Sequence, residues 1–118
     1  MKIEFTQEGQ SLRLTSDSKP VQFGDNIPVA IAVDTEYSSA TEIVLLTQAY
    51  KSLPARCVLT LSGNTASGTM SRAQLTECGT VNFVLAGKIN DMILPTAAAK
   101  IDVLPSVDPQ SEIGRAHV

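Results

Sequence analysis

The sequence predicts an all-β domain, an immunoglobulin-like antiparallel β-sandwich of about 7–9 strands. Two observations lead to this prediction. Apolar and polar residues alternate over several short runs, most clearly at Val81, Phe83 and Leu85, and such alternation puts one set of side chains on one face of a strand. Turn residues separate the runs, as Asn90-Asp91 does before the final strand, which ends at Val103.

The first half of the chain predicts a hairpin and then a central strand. Lys2–Thr6 and Ser11–Thr15 alternate on either side of Gly9, which is typical of two strands joined by a tight turn. Ile27–Asp34 alternates large apolar residues with alanines, and the small residues indicate close packing on the second face as well. The polar, serine-rich stretch Thr35–Thr41 is expected to be a loop.

The second half predicts further strands and one short helical turn. Glu42–Gln48 contains a continuous apolar run that favours a strand over a helix, because it is short and includes β-branched residues. Arg56–Ser62 alternates again and is followed by the hairpin signal Gly63-Asn64. A serine in the N-cap position, with a glutamine three residues later, predicts one short helical turn near Arg72–Glu77.

The composition fits a single domain with a complete core. The chain has 118 residues, 43% of them apolar, and we expect residues 1–105 to form the sandwich and residues 106–118 a polar C-terminal tail or linker. A net charge of -3 without any cluster of Lys or Arg argues against nucleic acid as a partner. No apolar run has the length of a signal peptide or a membrane helix, so we expect cytoplasmic synthesis and no membrane partner.

Few residues suggest catalytic or metal chemistry. Cys57 and Cys78 favour free thiols, with a disulfide between them as the alternative, and Cys57 alternates on the inward face of its strand. The sole histidine, His117, lies in the predicted tail. A catalytic serine or cysteine would therefore lack a histidine base, and the two cysteines would lack the further ligands that a zinc site needs. We therefore expect no enzymatic activity, no cofactor and no metal site.

The order of features from Arg56 onward resembles the N-terminal β-sandwich anchoring modules of tailed-phage virion proteins, of the baseplate-upper-protein or fibre-attachment type. In those modules a strand and a glycine-containing hairpin lead to a Leu-x-x-x-Gly turn, an alternating strand, a threonine, and a final strand before a polar linker. These places are taken here by Leu75, Gly79, Val81, Phe83, Leu85, Thr96, Ile101, Val103 and Ser106. The opening hairpin, Gly24-Asp25-Asn26 and the strand at Ile27 also resemble the start of such modules.

The resemblance implies a non-enzymatic structural role in a phage virion. It implies a module that docks on the baseplate or capsid, is assembled in the host cytoplasm, and holds a fibre or receptor-binding part beginning after Ser106. Its partners would be other virion proteins and further copies of itself, most simply as a trimer. The alternative is an immunoglobulin-like adhesion module on a bacterial cell surface, which has the same fold.

The apolar run in the fourth predicted strand suggests where copies would meet. The four residues are more than one face of a small sheet needs to bury, and a small sandwich also leaves open strand edges. We therefore predict an oligomer interface at Ile43, Val44, Leu45 and Leu46.

Overall fold

The computed structural model describes residues 1–109 and confirms the all-β prediction. Helical structure in this range is limited to one short α-helix, α1 (Thr35–Ser38), and one 3-10 turn (Arg72–Gln74). The remaining elements are the nine strands β1 Ile3–Glu8, β2 Ser11–Leu14, β3 Ile27–Ala32, β4 Glu42–Ala49, β5 Ala55–Ser62, β6 Thr65–Met70, β7 Gly79–Ile89, β8 Met92–Pro95 and β9 Ala99–Val103.

The strands follow one another in the order β2-β1-β3-β6-β5-β4-β7-β8. Strand β9 also pairs with β7, beside β8, so that β8 takes the Ala86–Ile89 half of β7 and β9 takes the Gly79–Phe83 half. Among these strand pairs, only β1 with β3 is parallel. The predicted hairpin and the predicted central strand are confirmed, because β3 lies between β1 and β6.

Strand β5 is the point at which the sheet turns back on itself. Its first part, Ala55–Leu59, pairs with β4, and its last part, Thr60–Ser62, pairs with β6. The two halves of the sheet therefore face each other, and the ring centroids of Phe5 in β1 and Phe83 in β7 are 5.5 Å apart. Both rings are almost fully buried, within one apolar cluster that takes residues from both halves.

Two-residue turns set the register of the hairpins. Asn90 and Asp91 join β7 to β8 with φ angles of 50° and 64°, which is the left-handed backbone that a type I′ turn requires. Asn and Asp tolerate this conformation better than other side chains do, so the sequence signal and the observed turn have the same cause. Gly63 at the β5–β6 turn also has a positive φ, of 60°.

The helix α1 differs from the loop predicted for residues 35–41. Asp34 is its N-cap, and the Asp34 carboxylate accepts a hydrogen bond of 3.0 Å from the backbone N–H of Tyr37. Tyr37 is buried, and its hydroxyl donates to the carbonyl of Leu94 at 3.0 Å. The cap is local, but a helix of four residues also depends on the distant contacts of Tyr37, which local sequence does not report.

The 3-10 turn forms where the sequence predicts a helical turn, although it is shorter. The side-chain oxygen of Gln74 accepts hydrogen bonds from the N–H and the hydroxyl of Ser71, at 2.6 and 3.0 Å. The amide nitrogen of Gln74 donates to the carbonyl of Arg56 and so fixes the turn against β5. Gln74 is nearly fully buried with both ends of its amide bonded.

Candidate functional site

Strand β4 divides the predicted interface residues between two sides of the sheet. Ile43 and Leu45 point into the core, where Leu45 is 0% exposed. Val44 and Leu46 point to the opposite side and are half-buried. An interface at this strand would therefore use Val44 and Leu46, whereas Ile43 and Leu45 are already occupied by the chain's own core.

Val44 and Leu46 belong to a larger surface that we call the outer face, on the side of strands β5, β4, β7 and β8 that is turned away from the core. Directly opposite residues on neighbouring strands share a face, so the register assigns its members. They are Glu42, Val44, Leu46, Arg56, Val58, Val84, Ala86, Lys88, Ile93 and Pro95.

The outer face consists of three rows that run across the strands. The middle row is apolar throughout: Val58, Val44, Ala86 and Pro95 are register partners across four strands. On one side of it lies the row Arg56, Leu46 and Val84. On the other side lies the row Glu42, Lys88 and Ile93.

Apolar side chains of this face are open to solvent. Val58 is 72% exposed and Ile93 is 65% exposed. Between them, Val44, Leu46 and neighbouring residues line a shallow groove of ≈ 330 Å³. Single exposed apolar residues are ordinary on a protein surface, but a contiguous apolar row with charges at its edges is typical of an interaction site.

The C-terminal end of the described chain is fixed to the body of the domain. The backbone of Leu104 donates to the carbonyl of Pro20 and accepts from the N–H of Gln22, at 2.9 and 2.8 Å. The Gln22 side chain then accepts from the N–H of Ser106 at 3.3 Å and donates to the carbonyl of Thr76 at 3.0 Å. The chain therefore remains attached beyond the last strand.

Arg72 holds the next residues of this exit. Its guanidinium forms an ion pair with the carboxylate of Asp108 and lies over the ring of Phe23, 5.0 Å from the centroid. The hydrogen bond to Asp108 raises the pKa of Arg72. The first residues of the predicted tail are thus held against the domain, while residues 110–118, including His117, lie outside the described residues.

The β4–β5 hairpin presents two large apolar side chains at its tip. Tyr50 is 85% exposed and Leu53 is 90% exposed. The loop between them is ordered by its own hydrogen bonds, from Ser52 N–H to the carbonyl of Ala49 at 3.0 Å and from the Gln48 side chain to the carbonyl of Ser52 at 2.9 Å. This tip is a second solvent-exposed surface that sequence reasoning did not identify.

A buried polar cluster connects the first hairpin to α1. The Gln7 side chain, 1% exposed, donates to the carbonyl of Gly9 at 2.7 Å and to the carboxylate of Asp34 at 2.9 Å, and accepts from the N–H of Asp34 at 2.9 Å. Burial raises the pKa of Asp34, but hydrogen bonds from Tyr37, Gln7 and Gly9 together lower it below its usual value. Every donor and acceptor involved has a structural partner, so the cluster supports the fold.

The two cysteines are free, as the sequence favoured, and differ in environment. Cys57 is buried, its thiol donates to the carbonyl of Thr69 at 3.2 Å, and burial raises its pKa. Cys78 is exposed. Within residues 1–109, no three His, Cys, Asp or Glu side chains are grouped as a metal site would require. None of the helices in this part is long and apolar enough to cross a membrane.

No protein-family model matches the chain, and a search of curated proteins finds no match.

Proposed function

We propose that this chain is a non-enzymatic structural module of a phage virion. It assembles on the baseplate or capsid through its outer face and carries a fibre or receptor-binding part beyond Ser106. Its partners in this proposal are other virion proteins and further copies of itself, and assembly takes place in the host cytoplasm. The resemblance to phage anchoring modules supplies the virion context.

The observation that carries the proposal is the placement of the outer face relative to the chain exit. The middle row of the outer face crosses β7 at Ala86, whereas the exit comes after Val103, which pairs with Gly79 at the other end of β7. Seven residues of extended strand separate these two points, about 23 Å. The assembly surface and the chain exit are therefore separated, so docking through the outer face leaves the exit accessible to the fibre or receptor-binding part, as an anchoring module requires.

The fixed exit supports the same proposal. A chain that left the domain as a free linker would not transmit the orientation of the domain to the next part. Here Gln22 and Arg72 hold the residues between Leu104 and Asp108 through a backbone pairing, a side-chain hydrogen bond and an ion pair. In this proposal, these contacts orient the residues up to Asp108 relative to the sheet, and the fibre or receptor-binding part follows them.

A bacterial surface adhesion module is the second candidate, and the β4–β5 hairpin tip favours it. Exposed Tyr50 and Leu53 on an ordered loop are suited to bind a partner, because tyrosine in particular is enriched at the energetic centres of protein interfaces. In this case the tip would bind the target, and the outer face would contact neighbouring modules of the same protein.

The two proposals predict different locations, and immunogold labelling distinguishes them. The tagged chain is expressed in the bacterium that carries its gene, and virus particles released by the culture are purified on a density gradient. Label on the banded particles is the result expected of a virion module. Label on intact cells supports the adhesion module instead, and a chain found only in the unassembled fraction contradicts both.

A matched pair of variants tests whether incorporation into virus particles depends on the outer face. Val58→Asp changes the exposed β5 end of the middle row, whereas Thr6→Asp adds the same charge on β1, in the other half of the sheet. We expect the first to be lost from particles and the second to be retained. Equal incorporation of both would show that the outer face is not the surface used in assembly.

A further inference from the structure

The charges of the outer face are arranged so that two copies of the face complement each other. Arg56 stands in the row on one side of the apolar middle row, and Glu42 stands in the row on the other side. Arg56 is opposite Leu46, four residues from Glu42, so about 13 Å of strand separates them. They are too far apart to pair within one chain, and neither makes a side-chain ion pair among residues 1–109.

A twofold axis along the middle row would bring these charges together. Rotation by 180° about a line that runs parallel to the row of Val58, Val44, Ala86 and Pro95, about 5 Å above it and midway between two facing sheets, places each strand over its own copy and exchanges the two outer rows. The row of Arg56 then lies over the row of Glu42 in the second copy. Arg56 is displaced from that glutamate by one strand, about 4.8 Å, and facing sheets pack about 10 Å apart, a gap that an arginine and a glutamate side chain span together.

We propose that the outer face binds a second copy of this chain about this axis. The middle row packs on itself, and two Arg56–Glu42 ion pairs, related by the axis, close its two sides. This inference rests on the proposed function, because it names the occupant of the proposed assembly face. An interface of this kind is isologous, so each copy contributes the same residues.

Such pairing gives an even number of copies, whereas the resemblance to virion modules implies three. The difference makes solution mass informative. The mass of the full chain is measured by light scattering over a wide range of concentrations, with reductant present so that Cys78 forms no disulfide between copies. We expect a concentration-dependent dimer that weakens as salt is raised, since the ion pairs at the rim are screened.

Charge reversal tests the pairing itself. Arg56→Glu turns both ion pairs into repulsions and should raise the dissociation constant of the dimer about tenfold or more. Adding Glu42→Arg restores opposite charges at both places and should recover most of the loss, although the new arginine lies beside Lys88 of its own chain. Lys19→Glu makes the same change of charge in an exposed loop away from the outer face and should leave the constant unchanged.

A second variant tests the apolar middle row instead of the ion pairs. Val58→Asp should give a monomer with an unchanged far-ultraviolet spectrum, because this side chain is 72% exposed in the single chain. A monomer of the unaltered chain at all concentrations, or a dimer insensitive to both Val58→Asp and Arg56→Glu, overturns the pairing. A trimer also overturns it but leaves the virion proposal intact, and that proposal is decided separately by the labelling of particles.

Discussion

Replacing Gln7 by methionine tests whether the buried polar cluster supports the fold. Methionine matches glutamine in length and keeps the buried position filled, but it can form none of the three hydrogen bonds to Gly9 and Asp34. A neutral hydrogen bond contributes about 1 kcal/mol, and one to a carboxylate about 1.5–3 kcal/mol. The apolar methionine tip recovers roughly 1 kcal/mol. The expected loss in the free energy of unfolding is therefore about 2.5–4 kcal/mol.

Urea unfolding at neutral pH, followed by circular dichroism, measures this loss as a shift of the midpoint at constant slope. Gln10→Met is the matched control, because Gln10 is exposed in the same hairpin and its bond from the N–H of Ala97 uses only the backbone carbonyl. If Gln7→Met costs less than about 1 kcal/mol, or no more than Gln10→Met, the hydrogen bonds of the cluster do not stabilise the fold as argued.

The remaining predictions concern three other sites. For Asp34, burial raises the pKa, but the hydrogen bonds to the carboxylate lower it by more than burial raises it. The ionised carboxylate therefore stabilises the fold fully above about pH 4, and this stabilisation is lost as the pH falls through the lower pKa of the folded protein. Asp34→Asn should consequently flatten the decline in unfolding free energy below about pH 4, as measured by urea unfolding across pH. Cys78 should react with a thiol reagent at once and Cys57 only after denaturation, and equal rates in the native protein would contradict the burial of Cys57. Gly68→Ala should lower the free energy of unfolding by about 1–3 kcal/mol, since its methyl group would lie 2.9 Å from the carbonyl oxygen of Val58; an unchanged urea midpoint would show that the strands adjust freely.

Periodicity and turn chemistry were enough to predict most of the strands. Alternation at Val81, Phe83 and Leu85 identified β7 because β7 buries one face only, and all three side chains lie in the core. The Asn90-Asp91 turn was predictable because the backbone it needs suits those two residue types. Both signals are local, so sequence alone contains them.

The features that sequence missed depend on distant contacts. Helix α1 is four residues long, and its cap, Asp34, is held by Gln7, 27 residues away. At the chain exit, the ion pair between Arg72 and Asp108 joins residues that are 36 positions apart in the sequence. No window of local sequence reports either pair, and the parallel pairing of β1 with β3 likewise joins strands that β2 and a long loop separate along the chain.

The apolar run of β4 shows why a sequence-level interface prediction needs the sheet register. Four consecutive apolar residues exceed one buried face, but the excess belongs only to alternate positions, and the sequence does not say which. Pairing with β5 and β7 places Val44 and Leu46 outside and aligns Val44 with Val58 and Ala86. An apolar residue on one strand is uninformative, whereas partners of the same kind on the neighbouring strands form a continuous surface. Three strand pairings, β5 with β4, β4 with β7 and β7 with β8, thus build the row on which assembly depends. A polar substitution in this row should weaken assembly more than an equally polar one elsewhere on the same strands.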